Sequence, residues 1–170
     1  MLIGQDPRDT ERLWDEMFKL NHSIGWATHG WGRPQIMTAI AGIDIALWDI
    51  KGKAANMPVY QLLGGTRNRV PCYVTGGYYQ EGKTISDLVS ECESYVDMGF
   101  NAIKLKIGHV SLKEDFSRIK AVRDSLGYDI DIMLDVNEGY DVLTAIESAR
   151  MMAPLQIRWL EEPVHWYDSI

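Results

Sequence analysis

The fold is decided by residues 101–137, which read NAIKLKIGHVSLKEDFSRIKAVRDSLGYDIDIMLDVN. Two apolar segments, 101–107 and 130–137, have the length and composition of buried strands. Between them, Ser111 and Glu114 form the capping-box signature that starts a helix. The apolar residues of this helix recur at steps of three and four: Leu112, Phe116, Ile119, Val122 and Leu126. The stretch therefore predicts the strand–helix–strand unit of a parallel sheet.

The same alternation extends along the chain in both directions. Strands are predicted at 70–75, 101–107, 130–137 and 157–163, and helices at 86–98, 112–126 and 142–152. Successive strands begin 31, 29 and 27 residues apart, which suits βα units. Because crossovers between parallel strands are right-handed, the pattern favours a doubly wound sheet or a (β/α)8 barrel. A barrel has eight strands and about 250 residues, so four strands predict an incomplete one.

The first part of the chain has no strand signal and predicts helices. One helix is predicted for residues 7–20, and a short one runs from Pro58 until Gly64 stops it. Between them, a long helix is predicted from an apolar stripe: Ile36, Ile40, Ile43, Leu47, Ile50 and Ala54. The change of pattern predicts two domains, 1–65 and 66–170.

Composition limits the function classes. The chain has 170 residues, 46% of them hydrophobic, and 17 basic against 24 acidic residues give a formal charge of −7. This charge argues against nucleic acid or an anionic membrane as partner. We expect neither a signal peptide nor a membrane span. Cys72 and Cys92 lack the pattern of a zinc site or a disulfide framework, so they predict reduced, packed thiols in a cytoplasmic protein.

Polar side chains gather near the ends of three successive predicted strands. Lys104 and Lys106 are two residues apart, so they point to one face of the second strand. Asp135 and Asn137 share a face of the third strand in the same way. In the fourth strand Glu161 points to one face and the residue after it to the other. Inner-face charges at the C-terminal ends of strands are typical of the active site of a TIM barrel.

These residue types suit proton abstraction next to a carboxylate. Asp135 and Glu161 offer the hard oxygen ligands that Mg²⁺ prefers. Near a second cation, in a partly dry site, the ammonium form of a lysine is disfavoured, so Lys106 can act as a base. Lys104 can lower the pKa of Lys106 and hold the substrate carboxylate whose charge grows.

Each of these residues also has a plainer interpretation when it is taken alone. Two strand lysines are commonly exposed to solvent, and a single carboxylate at a strand end is commonly a helix cap or a surface charge. Asn137 alone predicts no more than a turn. Their occurrence together on successive strands favours the site.

Two segments of the helical region resemble a family signature. Residues 41–54 read AGIDIALWDIKGKA, and residues 58–65 read PVYQLLGG. Both are similar to the signature of the mandelate racemase/muconate lactonizing enzyme family of the enolase superfamily. Residues 104–106 resemble the lysine pair of this family, and 135–137 and 161–163 resemble its first two metal-ligand segments.

The resemblance implies a role for each matching residue. It makes Lys106 the acid/base on one face of the substrate and Lys104 its partner. It makes Asp135 and Glu161 ligands of Mg²⁺, the implied cofactor, and it places Asn137 near the substrate.

The resemblance also implies an architecture. Residues 1–65 become the helical part of an α+β capping domain, and residues 66–170 become the first half of a (β/α)8 TIM-type barrel. Glu162 matches an acidic position that is usually not a direct ligand. The third carboxylate ligand and the His–Asp pair of the family are expected on strands after Ile170.

The four histidines are expected in loops or on the surface: His22, His29, His109 and His165. The first two belong to a predicted loop, 21–33, whose tryptophans we assign to packing.

The leading hypothesis is a Mg²⁺-dependent enzyme that abstracts the proton α to a carboxylate, as a sugar-acid dehydratase or a racemase. The preference for sugar acids rests on how common that activity is in the family. A second hypothesis is that the chain is inactive without the rest of the barrel, because an unpaired strand edge favours a homo-oligomer or a second chain. A third, a non-catalytic α/β binding module, leaves the lysines and carboxylates unexplained.

Overall fold

The computed structural model describes residues 2–20 and 33–168. The chain divides into two compact units, Met1–Val70 and Pro71–Ile170. The first unit is helical and the second alternates strands with helices, which confirms the predicted change of pattern. The assignment of residues 1–65 to a capping domain stays a prediction.

The described part of the first unit forms helices only: α1 Thr10–Leu20, α2 Arg33–Ala55 and α3 Val59–Leu62. Helix α1 begins later than predicted because a turn precedes it. In this turn the Asp6 carboxylate accepts hydrogen bonds from the backbone and side-chain N–H groups of Arg8, both at 2.9 Å. The N–H of Asp9 donates to the Asp6 carbonyl at 3.2 Å. The short helix α3 ends as predicted before Gly64, whose φ of +76° favours glycine.

The core of the first unit lies along a narrow seam between α1 and α2. Four side chains are buried in this seam: Leu13, Met17, Ile40 and Leu47. Ile43 and Ile50, which we predicted to face inward, are 37% and 42% exposed. Within this unit that prediction is wrong. A residue three positions along a helix lies about 60° around its axis, outside the contact with one neighbouring helix.

The second unit contains a four-stranded parallel sheet. Its strands are β1 Val74–Gly76, β2 Ala102–Lys106, β3 Asp131–Asp135 and β4 Leu160–Glu161, and its helices are α4 Ile85–Asp97, α5 Leu112–Leu126 and α6 Val142–Met152. The strands lie in the order β1-β2-β3-β4, and all neighbours are parallel. A doubly wound sheet reverses direction at a switch point, whereas a barrel adds each strand to the same edge. The described strands follow the barrel order, which confirms the predicted fold class.

The sheet is curved, because residues beside its two outer strands meet. The rings of Tyr73, before β1, and Trp159, before β4, form an edge-to-face pair with centroids 5.6 Å apart. In a flat sheet three strand spacings would keep side chains on these strands about 14 Å apart. The inner face is therefore concave, as in a barrel.

The outer face of the sheet packs against the helices. The buried core on this side contains strand and helix residues: Leu88, Cys92, Ile103, Leu105, Ile119, Val122, Ile132 and Leu134. Because side chains alternate along a strand, Lys104, Met133 and Asp135 point to the other, inner face. These three are buried as well.

Polar N-cap residues precede the helices α4, α5 and α6 of the second unit: Thr84, Ser111 and Asp141. Helix α5 begins after Ser111, as predicted, and the Ser111 hydroxyl accepts from the Glu114 N–H at 3.3 Å. This is one of the two bonds of the predicted capping box. Helix α4 begins with a complete capping box that the sequence analysis missed. There the Thr84 hydroxyl accepts from the Asp87 N–H at 3.2 Å, and the Asp87 carboxylate accepts from the Thr84 N–H at 2.8 Å.

The fourth strand is shorter than the predicted range 157–163. Glu162 has a φ of +43°, which ends the extended backbone after Glu161. Backbone hydrogen bonds toward the preceding βα loop continue beyond this point, from Glu138 N to Glu162 O at 2.7 Å and from Tyr140 N to Pro163 O at 3.2 Å. The loops after β3 and β4 are therefore joined.

The first strand lies nearer to the glycine turn than predicted, and this exposes Cys72. Cys92 in α4 is buried, and burial raises the pKa of its thiol to about 12. The prediction of packed thiols is correct for Cys92 and wrong for Cys72; both are free.

Among the described helices, none has the length and apolar character needed to cross a bilayer.

Candidate active site

Three adjacent strands bring the predicted site residues into one row. The Cα atom of Lys106 in β2 pairs with that of Asp135 in β3, which pairs with that of Glu161 in β4. Lys104 lies on the same face of β2, one alternation earlier. Asn137 follows β3 and reaches the same group through its side chain. The structure thus brings all five residues together at the C-terminal ends of the strands.

Ammonium groups alternate with oxygen atoms along this row. Lys104 Nζ lies 2.6 Å from Glu161 Oε1 and 3.1 Å from Asp135 Oδ2. Lys106 Nζ lies 2.7 Å from the same Asp135 oxygen and 2.7 Å from Asn137 Oδ1. One oxygen of Asp135 therefore accepts from both lysines. The result is a continuous set of charge-assisted hydrogen bonds from Glu161 to Asn137.

Asp135 is at the centre of this network, and its side chain is 2% exposed. Its second oxygen, Oδ1, accepts from the backbone N–H of Asn137 at 3.1 Å. Burial alone raises the pKa of a carboxyl group, but hydrogen bonds from Lys106 and Lys104 outweigh burial and hold the pKa of Asp135 below its usual value. Asp135 is therefore ionised, which is the form that binds cations.

Lys104 is the more enclosed of the two lysines, with a side chain that is 11% exposed. Its hydrogen bond to Glu161 raises the pKa of its ammonium group; burial opposes this rise and the bond to Asp135 adds to it. The arrangement therefore keeps Lys104 positively charged. A fixed cation on the inner face suits the binding of a carboxylate.

Residues after the third and fourth strands close the row. Asn137 and Glu162 both have positive φ, +51° and +43°. The amide of Asn137 donates from Nδ2 to Glu162 Oε2 at 3.4 Å. Strict alternation predicted Glu162 on the opposite face of the strand from Glu161. The left-handed backbone at Glu162 instead brings its side chain to the same network.

Two carboxylates of the row fit a hard divalent cation. Asp135 and Glu161 present oxygens from neighbouring strands in register, and both contact the positive charge of Lys104. Mg²⁺ is commonly held by one or two carboxylates, and water and substrate oxygens complete its octahedron. Within the described ranges, no group of three or more His, Cys, Asp or Glu side chains forms a metal cluster. Of the described residues, these two carboxylates would therefore supply two ligands of such a site, and water or substrate oxygens would supply the others.

Aromatic rings line the row, and the sequence analysis did not assign them to the site. Lys104 Nζ lies 5.7 Å from the ring centroid of Tyr73, and Lys106 Nζ lies 5.8 Å from that of Tyr78. Both distances are within the range of cation–π attraction. The sequence feature that could have predicted these two rings at the site is their position, because Tyr73 directly precedes β1 and Tyr78 follows it.

The described histidines lie outside the row. His109 is exposed in the loop between β2 and α5, as predicted. His165 follows the fourth strand, where its ring stacks on Tyr167 with centroids 4.9 Å apart. Its Nε2 lies 3.8 Å from Glu138 Oε2. His22, His29 and the predicted loop 21–33 lie outside the described residues.

Two family models match the chain. One, described as "Mandelate racemase / muconate lactonizing enzyme, N-terminal domain", matches residues 1–64. The other, described as "Enolase C-terminal domain-like", matches residues 87–170. The chain belongs to the mandelate racemase/muconate lactonizing enzyme family. The resemblance drawn from the helix signature and the strand motifs is therefore confirmed.

Curated relatives within this family are enzymes of several kinds. The chain is 44% identical over 165 residues to the arabinonate dehydratase of Saccharolobus solfataricus. This match covers 96% of the chain and 42% of the relative. It is 42% identical over 165 residues to the D-galactarolactone cycloisomerase of Agrobacterium fabrum, with the same two coverages. The chain spans less than half the length of these relatives.

A solved structure of a family member agrees in fold. A racemase from Streptomyces coelicolor, crystallised with bound magnesium, superposes with a TM-score of 0.79 at 36% identity. The match covers 96% of this chain and 47% of the racemase. The family thus includes dehydratases, cycloisomerases and racemases, and at least one of its members binds magnesium.

Proposed function

We propose that the protein containing this chain abstracts the proton α to the carboxylate of a small sugar acid with the help of Mg²⁺. We assign dehydration as the first choice of reaction and racemisation as the second. Three residues of the row carry the proposal: Lys106, Asp135 and Glu161. They are in register across three strands and put an amine and two carboxylates on the concave face.

We assign proton transfer to Lys106 Nζ. Its amine lies at the open end of the row, where the side chain is 18% exposed, compared with 11% for Lys104. In dehydration the amine takes the proton from the α-carbon, hydroxide leaves the β-carbon, and the resulting enol becomes a 2-keto acid. In racemisation Lys106 keeps the proton that it removed, and a second acid, which the family resemblance implies on a later strand, donates a proton to the opposite face of the α-carbon. Asn137, which contacts Lys106 Nζ at 2.7 Å, would orient a substrate hydroxyl.

We assign charge complementarity to the rest of the row. Lys104, which the carboxylates keep protonated, would bind the substrate carboxylate as negative charge develops on it. Asp135 and Glu161 would hold Mg²⁺. When bound, the metal ion supplies positive charge next to the oxygens on which negative charge grows. The buried inner face strengthens these interactions because water is largely excluded.

The test is Lys106→Ala in the complete gene product, assayed by α-proton exchange in D₂O and by 2-keto acid formation. Arabinonate and D-galactarolactone are suitable first probes. General acid–base groups contribute about 10²–10⁴-fold, so we expect turnover to fall about 1,000-fold. Lys113→Ala, which removes an exposed lysine near the start of α5, should change turnover less than about twofold. Equal turnover of the Lys106→Ala variant and the parent enzyme on a common acid would contradict the assignment.

A second candidate is that the 170-residue chain by itself is inactive and needs the remaining strands of a barrel, from a homo-oligomer or another polypeptide. The observation in its favour is that, within the described ranges, no group of three or more His, Cys, Asp or Glu side chains could hold a metal ion, so Asp135 and Glu161 would need further ligands. Light scattering with a Mg²⁺ titration tests it. A monomer of this chain that binds Mg²⁺ tightly would argue against it.

A further inference from the structure

Helix α5 carries a buried ion pair outside the row. Asp115 is fully buried, and the exposed fraction of Arg118 is 9%. Arg118 Nη1 donates to Asp115 Oδ1 at 2.7 Å. Neither residue belongs to the apolar stripe that predicted the helix. Buried ion pairs are weak evidence for stability, because their desolvation offsets much of their attraction.

The pair binds the loops that follow two strands. Asp115 Oδ2 accepts from the backbone N–H of Gly108, after β2, at 2.8 Å, and its Oδ1 accepts from the Tyr79 hydroxyl, after β1. Arg118 Nη2 donates to the Gly77 carbonyl at 3.1 Å. Its guanidinium also lies over the Tyr79 ring, 4.0 Å from the centroid. Both charges of the pair are thus used on the C-terminal side of the sheet.

Lys106 is held on its C-terminal side by this same pair. Arg118 Nη1 donates to the Lys106 carbonyl at 3.4 Å, and two residues later Asp115 binds Gly108 N. Gly108 has a φ of +99°, and a Cβ atom there would lie 2.9 Å from Val136 Cγ1. The turn after Lys106 therefore has little freedom. These contacts fix the backbone directly after Lys106, together with the hydrogen bond from Ile107 N to the Asp135 carbonyl at 3.0 Å.

We propose that Asp115 and Arg118 are positioning residues that orient Lys106 toward the substrate. This proposal rests on the proton-transfer role assigned to Lys106 above. A misplacement of about 1 Å at a reacting group can lower the rate about 100-fold. The residues that support functional groups contribute about 10–100-fold.

Kinetics of the complete gene product on arabinonate test the proposal. We expect Asp115→Asn and Arg118→Lys to lower kcat about 10–100-fold while KM changes less than about threefold. Arg118→Lys keeps the positive charge but loses the planar fork, and it should retain more activity than Arg118→Met. If Asp115→Asn fails to fold, the two Arg118 variants carry the test.

The matched control is Arg123→Lys. Arg123 lies on the same helix and is also buried, but it binds backbone carbonyls at the other end of the sheet, those of Gly127, Ile130, Leu155 and Gln156. We expect this variant to lower the melting temperature without changing kcat. If the Arg118 variants lose no more kcat than Arg123→Lys at an equal loss of melting temperature, the positioning role is wrong.

A substrate-free measurement separates this proposal from the proposed function. In protein labelled with ε-¹³C lysine, the Lys106 signal is assigned by its loss in Lys106→Arg. We expect the signal to move toward that of exposed lysines in Arg118→Lys and to stay in place in Arg123→Lys. An unmoved signal in Arg118→Lys overturns the positioning role. If the signal moves but Lys106→Ala keeps full turnover, Arg118 still fixes the Lys106 side chain, and it is the proton-transfer role that fails.

Discussion

The two ends of the parallel sheet use buried arginines of the same helix in different ways. At the C-terminal end, Arg118 is paired with Asp115, and both also bind backbone groups of the loops that lead to the row. At the N-terminal end, the described hydrogen bonds of Arg123 all go to backbone carbonyls. Arg118 thus contacts the backbone of a residue of the row, whereas Arg123 binds the carbonyls of loops.

The difference shows how two arginines of one helix are satisfied by different partners at the two ends of the sheet. Among the described residues, backbone carbonyls satisfy the guanidinium of Arg123 without a direct ion pair. Burial lowers the pKa of Arg123, yet arginine stays protonated at any ordinary pH. An ion pair adds direction, because each partner fixes the geometry of the other. The lysines and carboxylates of the row form ion pairs of the same kind across β2, β3 and β4.

Replacing Arg123 should remove the hydrogen bonds at the N-terminal end of the sheet and leave the contacts of the row unchanged. Arg123→Met leaves four backbone carbonyls, one in a buried and three in partly buried hydrogen bonds, without a charged donor. We therefore expect a loss of about 3 kcal/mol in the free energy of unfolding. Denaturant unfolding of the complete gene product measures this loss. Arg150→Met, at an exposed site in α6, should change the free energy of unfolding by less than about 0.5 kcal/mol. Similar losses in both variants would contradict the role of these hydrogen bonds.

Glu91 in α4 provides a pH-dependent way to loosen the C-terminal end. Its carboxylate accepts from Gly77 N at 3.0 Å and from the Tyr95 hydroxyl at 2.7 Å, and it pairs with Lys83. Burial opposes ionisation, but the hydrogen bonds from Lys83, Gly77 and Tyr95 outweigh it and lower the pKa of Glu91.

A lowered folded-state pKa adds stability above the unfolded pKa, about 4.3 for glutamate, and this stability is lost as the pH falls through the folded value. We therefore expect Glu91→Gln to lower the free energy of unfolding by about 2 kcal/mol at pH 7 and by much less near pH 3. Unfolding curves at both pH values measure the difference. Glu147→Gln, exposed on α6, serves as the control. A loss in Glu91→Gln that is independent of pH would rule out the charged pairing.

The smallest effect is expected at Thr84, the residue that caps the start of α4. Thr84→Ala removes the hydroxyl that caps α4, so we expect a loss of about 1 kcal/mol in the free energy of unfolding. Thr84→Ser keeps the hydroxyl and should retain most of that stability. Thermal unfolding of the three proteins gives the comparison. Equal losses for the alanine and serine variants would mean that the hydroxyl has no capping role.

Much of the row was predictable from the sequence because strand alternation is a local rule. It predicted that Lys104 and Lys106 share a face, and the structure puts both beside Asp135. The catalytic and metal-binding roles of these residues stay predictions. Glu162 broke the rule through its positive φ, which no local pattern in the sequence indicated. The apolar stripe of α2 was predicted to be buried over too wide an arc. Helical periodicity shows which side chains share a face, but it does not show how many neighbouring helices cover that face.

By itself the sequence determined the βα rhythm and the residue types of the site, since these depend on spacing within about 30 residues. Its motifs also carried the resemblance to the family. Only the tertiary structure decided which charges meet. Lys104 and Glu161 are 57 positions apart, and their contact depends on the order and register of three strands. The tertiary structure also decided that Asp115 and Arg118 are buried, because burial depends on what packs against a helix. Charge in the sequence does not reveal that packing.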